Sequence, residues 1–121
     1  MLYINKGKGE TDMAVNLPAR VLHAVCRYAQ NAGVEKVILF GSRARGTHTP
    51  RSDVDLAVAG GDFDAFYWAV KEQTPSLLMF DIVSLDAGAS AELLREIERD
   101  GVVLSDISSA LSTIPSYGFR C

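Results

Sequence analysis

The sequence predicts a small α/β (α+β) domain, a mixed sheet flanked by helices, and three observations carry that expectation. Short apolar runs around 36–40, 53–59 and 77–83 have the length of strands. The stretches between them repeat apolar residues at helical spacing. A chain of 121 residues, 48% of them hydrophobic, is long enough for one core and too short for two.

Taken in order, residues 1–15 form a polar leader. Asn16 is placed to cap a first helix, Pro18 suits its first turn, and Val21, Leu22, Val25 and Ala29 form its apolar stripe. Gly33 ends it, and the run Val37-Ile38-Leu39-Phe40 follows as a buried strand. A loop leads to a second strand at 53–59, and Gly60-Gly61 breaks the chain before a helix from about Asp62, with Phe63, Phe66, Tyr67 and Val70 facing the sheet. Pro75 closes that helix. A strand at 77–83, a helix from Ser90 to Arg99 with Leu93, Leu94 and Ile97 inward, and a short strand at 102–104 complete the domain, expected to span residues 16–104. The Ser-rich residues 105–121 are read as a tail, mobile or partner-docking.

The loop between the first two strands holds the informative motif. Gly41-Ser42 precedes Asp53 and Asp55 by ten residues. Along a strand, side chains two apart share a face, so Asp53 and Asp55 project together while Val54 and Leu56 enter the core. Like charges side by side repel, and a hard divalent cation is the natural compensator: Mg²⁺ takes one or two carboxylates together with water and phosphate oxygens, and a pair of such ions can clamp an in-line displacement. Gly41 permits close backbone approach, and Ser42 offers a hydroxyl and an amide at the start of a short helix. Arg43, Arg45 and Arg51 add three guanidinium groups, good phosphate binders. The guest this predicts is one triphosphate.

A third acid stands in the strand at 77–83. Asp81 interrupts an apolar run, where a charge needs a partner. Asp86 is its rival, at the strand exit, and Asp81 is preferred because strand interiors rarely tolerate an unpaired acid.

The Gly-Ser turn, the basic Ala44-Arg45-Gly46 loop, the Asp53-x-Asp55 pair and the following apolar strand together resemble the signature of the DNA polymerase beta-like nucleotidyltransferase superfamily, most closely its minimal nucleotidyltransferase (MNT) branch. The resemblance covers roughly residues 16–104. It implies the polymerase beta-like nucleotidyltransferase fold, metal ligation by Asp53, Asp55 and Asp81 to two Mg²⁺, and a role for Asp81 as base toward the incoming hydroxyl. It also implies nucleotide binding by Gly41, Ser42, Arg43, Arg45 and Arg51, and transfer of a nucleoside monophosphate, AMP from ATP, to an acceptor. In the MNT branch the partner is often a helical HEPN-domain toxin, so the resemblance implies an antitoxin that adenylylates its partner. Two other readings stay open: a binding module that occludes a partner, and a small-molecule, antibiotic-modifying nucleotidyltransferase, which would need a homo-oligomer to complete its pocket.

Blander roles compete for several residues. Each of the three arginines can serve a salt bridge. His48 is expected to face solvent in its loop, His23 to lie on an exposed or helix-packing side, Cys26 to pack in the core, and Trp68 to be partly buried, full exposure pointing to a partner surface. A net charge of −3 and a pI near 5.3 argue against general nucleic-acid binding. No apolar stretch reaches the ~20 residues of a membrane helix, and the first ten residues lack a signal-peptide core. Two cysteines, Cys26 and Cys121, make no disulfide framework. A cytoplasmic location is the expectation.

Overall fold

The computed structural model describes residues 16–74 and 76–106, and four helices and four strands lie among them. In chain order these are α1 (Ala19–Ala32), β1 (Lys36–Phe40), α2 (Ser42–Arg45), β2 (Val54–Ala59), α3 (Phe63–Gln73), β3 (Phe80–Ser84), α4 (Ala91–Asp100) and β4 (Val102–Asp106). The sheet has the order β3-β2-β1-β4; β1 runs antiparallel to both β2 and β4, and β2 runs parallel to β3. This is the mixed sheet that the pattern of apolar runs predicts.

Alternation along the strands sorts side chains into two layers. Val37 and Leu39 of β1, Val54, Leu56 and Val58 of β2, Phe80 and Ile82 of β3 and Leu104 of β4 pack with Val21, Val25 and Ala29 of α1 and Phe66 and Val70 of α3 in the main core. The opposite parity, Ile38, Phe40 and Ala57 with Val83, meets Leu93 and Ile97 of α4. A period of two thereby assigns Asp55, between Val54 and Leu56, and Asp81, between Phe80 and Ile82, to the face that α4 only partly covers.

Helix ends follow local chemistry. Gly33 closes α1 with φ 70°, a left-handed conformation in which its amide donates to the carbonyls of Ala29 and Gln30. Asp62 caps α3 by accepting from the Ala65 amide at 3.1 Å, and Ser90 caps α4 by accepting from the Leu93 amide at 3.1 Å. Expectation and structure part at several points, the first being β3, which starts at Phe80 rather than at 77 and leaves Leu77 and Met79 exposed. Asn16 does not cap α1, whose N-cap is Pro18 without a side-chain bond; the Asn16 side chain is engaged elsewhere, as described below. Leu94 is exposed because it lies just off the stripe that Leu93 and Ile97 present to the sheet. Trp68 is 56% exposed, its ring edge-on to Tyr67 on the outer side of α3, while Phe66 and Val70 take the inner side. The last strand runs to Asp106, two residues past the expected strand end at 104, because Ser105 and Asp106 still pair with Val37 and Lys36. His23 is exposed and Cys26 is fully buried, as expected. The leader, Pro75, Cys121 and the tail beyond Asp106 lie outside the described residues.

Candidate nucleotidyltransferase site

The site begins where β1 ends. Phe40 is the register partner of Asp55, so the next residue, Gly41, turns directly over the Asp55 side chain. Gly41 has φ 77° and ψ −156°, and a β-carbon there would collide with Asp55 Oδ2. Only glycine lets the backbone pass this close to the carboxylate. The turn opens α2, in which the amides of Ala44 and Arg45 both donate to the Gly41 carbonyl. The preceding amides, those of Ser42 and Arg43, have no helical partner by position. They follow directly on the residue whose backbone covers Asp55.

Asp55 and Asp81 are register partners across the parallel strands β2 and β3, and such partners sit about 4.8 Å apart along the hydrogen-bonding direction. Asp53 stands exposed just before β2, whose first amide, that of Val54, donates to the Met79 carbonyl at 2.9 Å. Burial, then the charges of Asp81, Asp53 and Glu96, push the Asp55 carboxyl up to about 6, with Arg45 opposing. Asp86 is placed at the other end of the strands, where its Oδ2 accepts from the Gly60 amide at 2.7 Å. It tethers a turn and is remote from the acid pair in register.

The three arginines diverge. Arg45 is exposed and its Nη1 lies 3.4 Å from Glu96 Oε2 of α4, a loose surface pair that competing anions can displace. Arg51 sits exposed at the loop tip, and its side chain has no polar partner among the described residues. Arg43 departs from the expected phosphate-facing place. It is 4% exposed, and its guanidinium turns inward to the carbonyls of an irregular loop, which need donors that no ladder supplies. His48 is half-buried rather than solvent-facing, and its Nδ1 is shut from solvent without a hydrogen-bond partner among the described residues. Glu96 is the site residue that sequence reasoning missed, because its helix lies more than forty residues downstream and an acid on an exposed helix carries no local signal.

The donor set can be tested for a hard cation. Among the described residues, no three His, Cys, Asp or Glu side chains make a ready-made ion cage. An octahedral Mg²⁺ does not require one, since it keeps waters and takes phosphate oxygens beside one or two carboxylates. What the structure shows is an oxygen-only set whose central member, Asp55, is raised to about 6 first by burial and then by its acidic neighbours, with Arg45 opposing only in part. The residues fit Mg²⁺ shared with a phosphate ligand.

The sequence profile of polymerase beta nucleotidyltransferases matches residues 25–110 of this chain, which takes in β1, the Gly41-Ser42 turn, all three aspartates and β4. The chain belongs to the polymerase beta nucleotidyltransferase family. It is also 38% identical over 64 residues to a candidate protein adenylyltransferase of Methanocaldococcus jannaschii, an alignment covering 52% of this chain and 61% of the relative. The match therefore spans less than two thirds of that relative's length. Among solved structures, the fold is similar to a chain of a toxin–antitoxin pair crystallised with AMP-PNP, at TM-score 0.57 and 24% identity over 70% of this chain and 73% of the other. A second similar structure is the complex of an MNT antitoxin with the tri-AMPylated HEPN toxin of Shewanella oneidensis, at TM-score 0.52 and 20% identity over 74% and 72% of the two chains. At such identities these likenesses speak for the nucleotidyltransferase fold. No helix among the described residues is long and apolar enough to cross a membrane.

Proposed function

We propose that this chain is a Mg²⁺-dependent nucleotidyltransferase that moves AMP from ATP to a hydroxyl of a partner protein, as the antitoxin of a HEPN/MNT pair in the cytoplasm. The observation that carries the reading is the stacking of three parts on one sheet end: the Gly41 turn over Asp55, Asp55 beside Asp81, and Asp53 at the mouth of β2. Family membership and the adenylyltransferase and antitoxin relatives support it.

In this reading Asp53, Asp55 and Asp81 hold the cation, which when bound neutralises phosphate charge and orients the α-phosphate. The amides of Ser42 and Arg43 and the Ser42 hydroxyl bind the phosphate chain. Arg45, releasing Glu96, and Arg51 meet the outer phosphates. The acceptor oxygen forms its bond to the α-phosphorus as the bond to the bridging oxygen breaks. Pyrophosphate departs with that electron pair, and the hydroxyl proton passes to Asp81 and then to water. The chain's contribution is positioning and charge stabilisation.

The test is to purify the chain with its genomic neighbour, add ATP labelled at the α-phosphate with Mg²⁺, and follow an AMP adduct on the neighbour by mass spectrometry. Label on the neighbour that needs Mg²⁺ is the expected result. A tight complex without label would favour occlusion, and label on an aminoglycoside instead would favour the small-molecule reading.

A further inference from the structure

Arg43 binds no carboxylate among the described residues, although it is almost fully buried. Its nitrogens are divided among four main-chain carbonyls. Nε donates to Ser52 O at 3.1 Å, Nη1 to Asn16 O at 2.8 Å, and Nη2 to Pro50 O at 3.2 Å and Thr49 O at 3.4 Å. Asn16 answers with its side chain, Nδ2 donating to the Arg43 carbonyl at 2.6 Å. The contact is reciprocal across 27 residues, and it joins the segment before α1 to α2 and to the far end of the loop.

Two of these partners bear on the site. The Ser52 carbonyl belongs to the peptide that leads into Asp53, so the Nε bond fixes the backbone from which that carboxylate projects. Arg43 itself is the second residue after Gly41, so the same residue is anchored in the phosphate turn. Within the loop, the Thr49 amide donates to Ser52 Oγ at 2.8 Å and the Ser52 amide to Thr49 O at 3.1 Å, a closed turn that the guanidinium grips from beneath. A guanidinium presents five donors in a planar fork, whereas lysine presents three from one point and cannot span four carbonyls.

We propose that Arg43 is a positioning residue whose guanidinium holds the 46–53 loop and the Asp53 backbone at a fixed spacing from the Gly41-Ser42 turn before any nucleotide arrives, rather than binding phosphate itself. The proposal rests on the nucleotidyl-transfer reading for what the spacing serves.

The experiment uses the full chain with Arg43→Lys, which keeps the charge and loses the fork, and with Asn16→Ala, a milder loosening at a half-buried surface position. Amide hydrogen exchange without ligand should show protection at Gly46, Thr47, Thr49 and Ser52 falling about tenfold or more in Arg43→Lys, and less in Asn16→Ala, while the amides of β1 and β2 hold. Binding of AMP-PNP, followed by calorimetry in EDTA and across a Mg²⁺ titration, should be unchanged in EDTA but need several-fold more Mg²⁺ for half-saturation. Unaltered exchange in the loop would overturn the proposal. So would loosened exchange with an unaltered Mg²⁺ requirement, which marks a merely structural clamp, or an equal loss of binding in EDTA and Mg²⁺, which marks a phosphate ligand. A parent chain with no Mg²⁺-dependent AMP-PNP binding would overturn the nucleotidyl-transfer reading and the positioning role with it, distinguished by a loop that still loosens.

Discussion

Asp55 and Asp81 face each other in register from adjacent parallel strands, and the backbone of Gly41 closes over the first of them. Two carboxylates so placed, with Asp53 and Glu96 nearby, cannot all be charged without cost. Burial of Asp55, and after it these neighbouring charges, raise its pKa to about 6 and make the ligand-free domain sensitive to pH in a definite direction.

Asp55 in the folded chain keeps its proton up to about pH 6, against an ordinary value of 3.8. The folded state therefore binds more protons in that window, and stability falls as pH rises through it: the contribution is full below 3.8 and lost above about 6. Asp55→Asn should stabilise the ligand-free protein at pH 7 by roughly 1–2 kcal/mol, after allowing for solvent screening of a half-buried group. Urea unfolding at pH 5 and pH 7.5 checks this, with a parent that is less stable at the higher pH relative to the mutant. Metal-dependent nucleotide binding should show the opposite trend and weaken below pH 6, since the cation needs the carboxylate.

Gly41→Ala should lose Mg²⁺-dependent nucleotide binding and lower stability by about 1–3 kcal/mol, the scale of a strained backbone residue. Part of that loss is a collision with Asp55 Oδ2. The double variant Gly41→Ala with Asp55→Ala should accordingly lose less than the sum of the single changes, a coupling readable from chemical denaturation. Strict additivity would mean that the backbone conformation alone accounts for the glycine.

Arg45→Ala should weaken ATP binding by about 1.5–3 kcal/mol, the range for a hydrogen bond to a charged group. The melting temperature without nucleotide should barely change, because the pair with Glu96 is exposed and loose. Calorimetry and a thermal melt on the same preparation separate the two effects. A large fall in melting temperature would make Arg45 a structural residue.

The parts of the site that were legible in the sequence are those governed by short-range rules. Strand alternation puts Asp55 and Asp81 on one face and register brings them together, whereas Asp53, expected within the strand, stands just before β2 and within charge reach of Asp55. Gly41 was legible as a turn, though not as the residue whose missing side chain admits Asp55. Arg43 was not legible, since an arginine in a basic loop looks the same in sequence whether it meets phosphate or four carbonyls. Its partner Asn16 looks like a helix cap and acts across 27 residues. Glu96 and the exposed Trp68 and Leu94 depend on how far each helix is rotated against the sheet, which spacing fixes only to within a residue.

Asp81 should be needed for transfer more than for folding. It is exposed at its place in β3, beside Asp55 and on the face that α4 leaves open, so its removal uncovers no core. Its charge raises the Asp55 pKa, and Asp81→Asn should relieve that repulsion and leave the ligand-free protein equally or slightly more stable. The same substitution removes the proposed cation ligand and the proposed base for the acceptor hydroxyl. With the genomic neighbour, α-labelled ATP and Mg²⁺, adduct formation should fall by about 10²-fold or more, the scale of a lost general base, while the complex with the neighbour survives gel filtration. Undiminished transfer by Asp81→Asn would move the base and the third ligand to another residue. A collapse in melting temperature would instead mean that the acid holds the edge strand in place, an outcome that its exposure in β3 argues against.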